Sequence, residues 1–374
     1  MKSLAGVPRE NLRSLPVLVR ADLNVPVKRG NVENGYRALR ALGTLSYLHE
    51  MGARTIVISH MGRSKSDTLS SVAEFLKKHI NITFVPDIIG KEAMAVSALM
   101  RDGEIILLEN LRQNEGEEKN DEDFAKALAS LAEIYVNDAF ASSHRKHASI
   151  VGVPKFLPHY AGFLFEEEVA ELSAALSPRS PSLCILGGAK FDTKEPLIKK
   201  LLETYDHVFV GGALANDIFS ALGFQIGRSL VSAAPPSDGI FENGRMLIPV
   251  DVVAQKADGS ARVARADDVE EDEKIVDIGP KSVDDLEPYI RGAEFILWNG
   301  PMGVYEEGFD TWTRAIARIV ANSKGYAVVG GGDTVATIHE MGLEKKCGFV
   351  STGGGAMLEF LLDGTLPGID ALAE

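Results

Sequence analysis

Glycine turns, arginines and lysines in this chain gather just after short apolar runs, and their types suit the handling of phosphate and carboxylate groups. In the second half the turns are Gly187-Gly188-Ala189-Lys190, Gly211-Gly212, Gly330-Gly331-Gly332-Asp333-Thr334 and Thr352-Gly353-Gly354-Gly355. Each follows an apolar run, such as Cys184-Ile185-Leu186 or Ala327-Val328-Val329, and precedes an amphipathic stretch. Glycine lets the backbone turn sharply and lets a ligand approach the amides. The helix that follows offers unpaired N–H groups and partial positive charge. Several such turns facing one edge of one sheet suggest a pocket for a polyphosphate.

Lys190 and Lys194 are spaced i, i+4 directly after the first turn, which would put them on one face of a helix. Lysines at a helix N-terminus oppose the local dipole, and the conflict disappears when phosphates lie between them. Taken without their neighbours, the two read equally well as solvated residues. The run Asn299-Gly300-Pro301-Met302-Gly303-Val304 can wall a sugar or base, with Glu306 accepting from ribose hydroxyls. Asp333 stays open between two roles, a helix N-cap and a ligand for Mg²⁺ bound to the phosphates.

The first half supplies cations. Asp22 and Asn24 follow a strand that ends near Arg20, Arg37 opens a helix, and His60 with Arg63 follows a second strand. Arg112 follows a third, and His144-Arg145-Lys146-His147 a fourth. Ligands of open parallel sheets bind beyond the carboxyl ends of the strands, so these residues converge although distant in sequence. Arginine suits bidentate recognition of carboxylate or phosphate. Each arginine alone reads as a surface residue or an ion-pair partner, and Asp22 and Asn24 as turn formers before Pro26. The whole set, always after a strand, reads as a basic cup for an anion.

Several chemistries lack their residues. There is no G-x-x-x-x-G-K-[ST] phosphate loop, no G-x-G-x-x-G strand turn, no H-E-x-x-H and no spaced Cys/His set. No nucleophile elbow surrounds a serine or cysteine, so chemistry without a covalent intermediate is expected. A nicotinamide dehydrogenase is a rival that lacks its fingerprint. A catalytically silent binding protein is another, disfavoured by Arg37, Lys190, Lys194 and Asp333.

The elements that must position these residues alternate from end to end, strand then helix, which reads as parallel α/β. Strands are expected at 16–20, 55–59, 82–85, 105–108 and 134–136, with helices at 37–51, 70–79, 91–100 and 121–131 between them. The rhythm returns with strands at 183–186, 207–210, 295–297, 326–329 and 349–350. A helix at 163–176 connects the halves, residues 233–239 form a loop, and 252–272 reads as a polar or strand-hairpin insertion. At 374 residues the chain favours two domains. Its 45% hydrophobic and 25% charged residues describe a soluble globular protein. A net charge of −14 argues against non-specific binding to nucleic acid or anionic membrane. No apolar run reaches membrane-spanning length and the start lacks a secretory segment. Cys184 and Cys347, the only cysteines, read as buried reduced thiols, which makes the cytoplasm the expected compartment.

Taken in order, these segments resemble the phosphoglycerate kinase family over nearly the whole chain. The matching residues are Arg20–Pro26, Ser59–Arg63, Leu107–Arg112, Glu117–Asp121, Val136–Phe140, His144–Ser149, Gly187–Lys190, Trp298–Val304, Gly330–Thr334 and Ser351–Ala356. The resemblance implies two doubly wound parallel-sheet, Rossmann-like domains joined by a hinge helix, with a cleft between them. It implies reversible, Mg²⁺-dependent phosphoryl transfer between ATP and the carboxylate of 3-phosphoglycerate, direct and in line on domain closure.

By the same resemblance, residues 1–162 bind phosphoglycerate through Asp22, Asn24, Arg37, His60, Arg63, Arg112 and Arg145. Residues 163–177 form the interdomain helix, and 178–362 bind nucleotide. The nucleotide would lie on Lys190, Lys194, Gly211, Gly212, Asn299, Pro301, Glu306, Gly330, Gly331, Gly332, Asp333 and Thr334. Arg37, Lys194, Gly353 and Gly354 would act on the transferring group, and Asp333 would anchor Mg²⁺. Residues 363–374 would pack back on the first domain. The partners implied are small molecules alone, acting on a monomer. Departures from the family's pattern are Ser64 in place of proline, Ala141 and Ala213 in place of glycines, and changed residues at 191–197. They bear on nucleotide affinity and preference more than on the reaction.

Overall fold

Apolar runs too short for helices form the two large sheets of this chain. In the computed structural model, which describes residues 1–237 and 239–373, both sheets are six-stranded and every pairing within them is parallel. Asp238 of the expected loop and the terminal Glu374 lie outside the described residues. The chain divides into two compact units, Met1–Ala170 with Thr365–Glu374, and Glu171–Gly364. The helix Phe163–Ala175 carries the boundary within itself, and ends two residues before the expected 177.

In the first unit the spatial order is Thr83–Val85, Ile105–Leu108, Arg54–Ile58, Pro16–Ala21, Ile134–Asp138, His159–Ala161. The second unit runs Met246–Leu247, His207–Val210, Ser182–Leu186, Phe295–Asn299, Tyr326–Gly330, Phe349–Val350. Strands covered on both faces are buried along their length, as Ile105–Leu108 and Ser182–Leu186 are. In both units the first strand of the chain lies inside the sheet, with the second strand on one side and a later one on the other. That reversal opens a crevice beyond the strands' carboxyl ends. Pro16–Ala21 in one unit and Ser182–Leu186 in the other therefore end at such a crevice.

Local chemistry sets the helix ends. Asp121 caps Glu122–Ala129 by accepting from the Phe124 N–H at 2.8 Å, and Gly52 ends Leu42–Met51 in the left-handed region. The expected helix at 37–51 is two helices, Tyr36–Arg40 and Leu42–Met51. The expected insertion is a three-stranded antiparallel sheet, Asp251–Gln255 between Ala261–Arg265 and Lys274–Ile278. At the C-terminus Gly368 donates its N–H to Ser143 O at 2.8 Å, inside the first unit.

Candidate active site

The first unit's crevice is built around a buried cation. Arg20, the fifth residue of Pro16–Ala21, is fully buried. Its Nε donates to Ser149 Oγ at 2.8 Å, Nη1 to Ala21 O at 2.6 Å and Nη2 to His60 Nδ1 at 2.9 Å. Ser149 in turn donates its hydroxyl to Glu117 Oε1 at 2.6 Å and its N–H to Glu117 Oε2 at 3.0 Å. Glu117 is also fully buried. Burial pulls the Arg20 guanidinium below its ordinary value, while Glu117, Tyr135 and Asp22 oppose that shift.

Around it the expected anion-binding residues crowd together. Burial, then Arg20, Arg112, Arg145 and His147, hold His60 well below the usual imidazole range. His147 falls to about 4 through burial and the same arginines. It is therefore neutral, and its 3.7 Å approach to Glu117 is not an ion pair at physiological pH. Arg112 is lowered by burial and then by Arg145, although Glu118 lies 3.0 Å away. Arg37 Nη1 lies 3.7 Å from Asp22 Oδ2. Arg63 is exposed, and no partner holds it among the described residues. Asn24 Oδ1 accepts from the Gly62 N–H at 3.0 Å, and Arg112 Nη1 donates to Gly62 O, so the loop after His60 is held from two sides. Asp22 Oδ2, His144 Nδ1 and Arg145 Nη1 are shielded from water without a hydrogen-bond partner. Such orphans cost about 1–3 kcal/mol each, so they mark a site that gains from a ligand.

Ser64 has a local reason. Its N–H donates to Asp67 Oδ2 at 2.9 Å, a bond that proline cannot make. Ala141 lies in the short turn Phe140–Ser142, where its backbone does not need glycine.

The second unit's crevice uses main chain instead. Gly187 N–H donates to Asn299 O at 2.9 Å and Gly188 N–H to Pro301 O at 3.1 Å, sealing the reversal between the two central strands. A Cβ on Gly187 would lie 2.1 Å from Pro301 O. Gly212 takes φ +60°, and a Cβ there would lie 2.8 Å from Gly188 N. Beyond these turns lies a cavity of about 710 Å³, whose walls include Gly188, Gly212, Ala213, Pro301, Glu306 and Asp333. Lys274, Asp277 and Arg228 also line it.

Of the residues expected to face nucleotide, the cavity thus gathers Gly212, Pro301, Glu306 and Asp333. The others sit on the surrounding turns. Lys194 folds back so that Nζ donates to Gly187 O at 3.1 Å, and burial lowers its pKa. Lys190 does not share a helix face with it. The helix begins at Phe191, and Lys190 is its exposed N-cap in the left-handed region at φ +65°. Asn299 is buried and donates to Met357 Sδ at 3.4 Å, and Thr334 is fully buried with Oγ1 unpartnered. Gly211 lies one residue before the cavity wall, with its amide on Leu186 O at 2.8 Å. Gly330 ends its strand, Gly331 caps the following helix and Gly332 begins it. The Gly353 N–H is taken by Ser351 Oγ at 2.9 Å, and Gly354 is the N-cap of Gly355–Asp363.

Asp333 is not an N-cap. That position belongs to Gly331, and no side chain caps the helix. Burial and then Glu306 raise the Asp333 pKa, so two carboxylates lean on the same cavity. Among the described residues no group of three or more His, Cys, Asp or Glu can hold a metal alone. One carboxylate shared with phosphate oxygens suits Mg²⁺, which rarely takes an all-protein cage.

Sequence reasoning missed five buried groups. Arg20, Ser149 and Glu117 brace His60, and Asn110 holds the next residue through Met61 N and O at 3.0 and 2.9 Å. Asp138 accepts from the N–H groups of Leu164 and Phe165 at 3.0 and 3.3 Å, and burial pushes it up to about 7.

A cationic crevice in one parallel-sheet unit and a glycine-walled cavity in another are the arrangement expected of a small-molecule kinase of the α/β class. The phosphoglycerate kinase family model matches residues 9–364. The sequence is 43% identical over 382 residues to phosphoglycerate kinase of Moorella thermoacetica, covering 97% of each chain. It is 44% identical over 375 residues to that of Thermus thermophilus, covering 95% of this chain and 96% of the other. The solved structure of phosphoglycerate kinase from Pyrococcus horikoshii superposes with a TM-score of 0.89 at 30% identity, covering 100% and 98%. That from Coxiella burnetii gives 0.81 at 37% identity, covering 99% and 98%. The chain belongs to the phosphoglycerate kinase family, whose reaction is reversible phosphoryl transfer between ATP and the carboxylate of 3-phosphoglycerate.

Proposed function

We propose that the first unit holds 3-phosphoglycerate through Asp22, Asn24, Arg37, His60, Arg63, Arg112 and Arg145, and that the second holds the Mg-nucleotide. The observation that carries this is the crowding of Arg20, Arg112 and Arg145, each lowering its neighbours' pKa inside a protein of net charge −14. Like charges held that close are stabilised by a bound anion.

In the second unit the 710 Å³ cavity is large enough for a nucleoside, with Glu306 set to accept from ribose hydroxyls. Asp333 would hold Mg²⁺ together with phosphate oxygens, and the ion would supply neutralisation of phosphate charge. Phosphoryl transfer asks the protein for placement and charge neutralisation, since the attacking carboxylate is already ionised. Lys194 and Arg37 are assigned to the equatorial oxygens in flight. The amide of Gly354 is assigned there too, and that of Gly353 would first have to leave Ser351. A monomer acting on small molecules in the cytoplasm is the setting we assign. Among the described residues no helix is long and apolar enough to cross a membrane.

A coupled assay with ATP, Mg²⁺ and 3-phosphoglycerate tests this. Turnover that requires all three is expected. Binding of both ligands without turnover would make the chain a silent binding protein and overturn the proposal.

A further inference from the structure

Arg20 is fully buried, and hydrogen bonds to Ser149, Ala21 and His60 fix its guanidinium behind the first crevice. The direction of each bond is settled by chemistry. A guanidinium only donates, so His60 Nδ1 must accept and cannot carry a proton. The same logic runs the other way through Ser149, which accepts from Arg20 Nε and gives its own proton to Glu117. Glu117 accepts a second bond from the Ser149 amide, so this end of the chain cannot rotate. Ser59 Oγ fixes the backbone beside it, donating to Ala21 O at 2.8 Å and accepting from Leu23 N–H at 3.0 Å.

We infer that Arg20 is a positioning residue that locks His60 as the neutral Nε2–H tautomer, so that His60 meets the substrate as a hydrogen-bond donor and not as a cation. The rest of the site supports this. The charged groups that weigh most on the ring are cationic, Arg20, Arg112 and Arg145, and His147 beside them is held down to about 4. Of the buried carboxylates of the cluster, Glu117 is taken up by Ser149 and Asp22 accepts from the Asn24 N–H at 3.3 Å, and neither bonds to His60 among the described residues. A neutral donor adds direction to the site without adding to the repulsion among its arginines. It also keeps the anion site from gaining or losing a charge across the range where free histidine titrates. The inference deepens the proposed binding of 3-phosphoglycerate and rests on it for the substrate-facing half.

Nitrogen-15 NMR of the histidine side chains in the full-length wild-type protein tests both halves separately. His60 is assigned by comparison with His60→Gln. The expected spectrum has an unprotonated Nδ1 and a protonated Nε2, unchanged between about pH 5 and 8. Added 3-phosphoglycerate should shift the Nε2 signal. A proton on Nδ1, or a ring that titrates in that range, would overturn the lock. A locked ring indifferent to 3-phosphoglycerate would instead remove His60 from the substrate site and overturn the reading it rests on. Arg20→Gln adds a second readout: the ring regains ordinary titration, and KM for 3-phosphoglycerate becomes pH-dependent while kcat changes less. Arg20→Lys, still a buried donor, should restore the tautomer in part. A folded Arg20→Gln protein with wild-type tautomer and KM would contradict the inference, and the wild-type spectrum decides the matter if that variant does not fold.

Discussion

The two units share a frame and differ in what they put at its reversal point. Each is a six-stranded parallel sheet whose first strand lies inside the sheet, and each opens a crevice beyond that strand's carboxyl end. The first unit fills the crevice with buried side chains, Arg20, His60, Glu117 and Asp138. In the second it is lined with main chain, where Gly187, Gly212 and Pro301 pack backbone against backbone. A small, highly charged ligand is best met by fixed cations. A long ligand with an apolar base and a flexible phosphate tail needs room and free amides. The same topology serves both because the crevice is a property of strand order, while the chemistry is a property of the few residues after each strand.

That contrast predicts where single substitutions act. The largest effect is expected at Lys194, whose Nζ donates to the Gly187 carbonyl at 3.1 Å beside the second unit's turns. Lys194→Ala should lower kcat by about a thousandfold with little change in nucleotide affinity, as for other charge-stabilising groups. Steady-state kinetics beside equilibrium nucleotide binding would check it, and near-normal turnover would remove Lys194 from the chemistry.

A smaller effect comes from pH. Asp277 lines the second unit's cavity, accepts from Ile278 N–H at 2.9 Å and Trp312 N–H at 3.3 Å, and is pushed up to about 7 by burial. Because its folded pKa lies above the unfolded one, its contribution to stability is complete below about pH 4 and fades as pH rises through 7. About three units at ~1.4 kcal/mol each set a ceiling of roughly 4 kcal/mol. Denaturant melts of Asp277→Asn should therefore lose less stability than wild type between those pH values. Parallel curves would show that Asp277 stays ionised when folded.

The smallest effect is expected at Lys190, a non-glycine residue held at φ +65°. Lys190→Gly should raise stability by about 1 kcal/mol and weaken nucleotide binding, as strain kept at a functional turn implies. Thermal melts and nucleotide titration would check both signs, and a variant that binds nucleotide as well as wild type would leave the strain without a use.

Much of this was legible in the sequence because strands in parallel sheets are continuous apolar runs that stop where the polar residues begin. Ile105–Leu108, His207–Val210 and Phe349–Val350 have the expected limits. The edge strands His159–Ala161 and Met246–Leu247 were not legible, being short and close to Pro158 and Pro249, which read as loop. Residues whose side chains end at the crevice could be picked out by type and position. Those that brace it could not. Arg20 sits inside an apolar run and finds Ser149 across 129 residues. Glu117 stood in a recognisable segment without a role, because only the folded chain brings a buried acid to that serine. Asn299 and Thr334 were picked for ligand contact by position alone, and their burial could not be read from it.

Calorimetric titration of 3-phosphoglycerate and of Mg-ADP into Arg112→Ala and Gly212→Ala tests the division of labour most directly. Arg112→Ala should weaken 3-phosphoglycerate by roughly 10- to 100-fold, the size of a charged hydrogen bond, and leave Mg-ADP within about twofold. Gly212→Ala, with its Cβ driven against Gly188 N, should do the reverse. Loss of both ligands in either folded variant, or a crossed pattern with Arg112 governing the nucleotide, would contradict it.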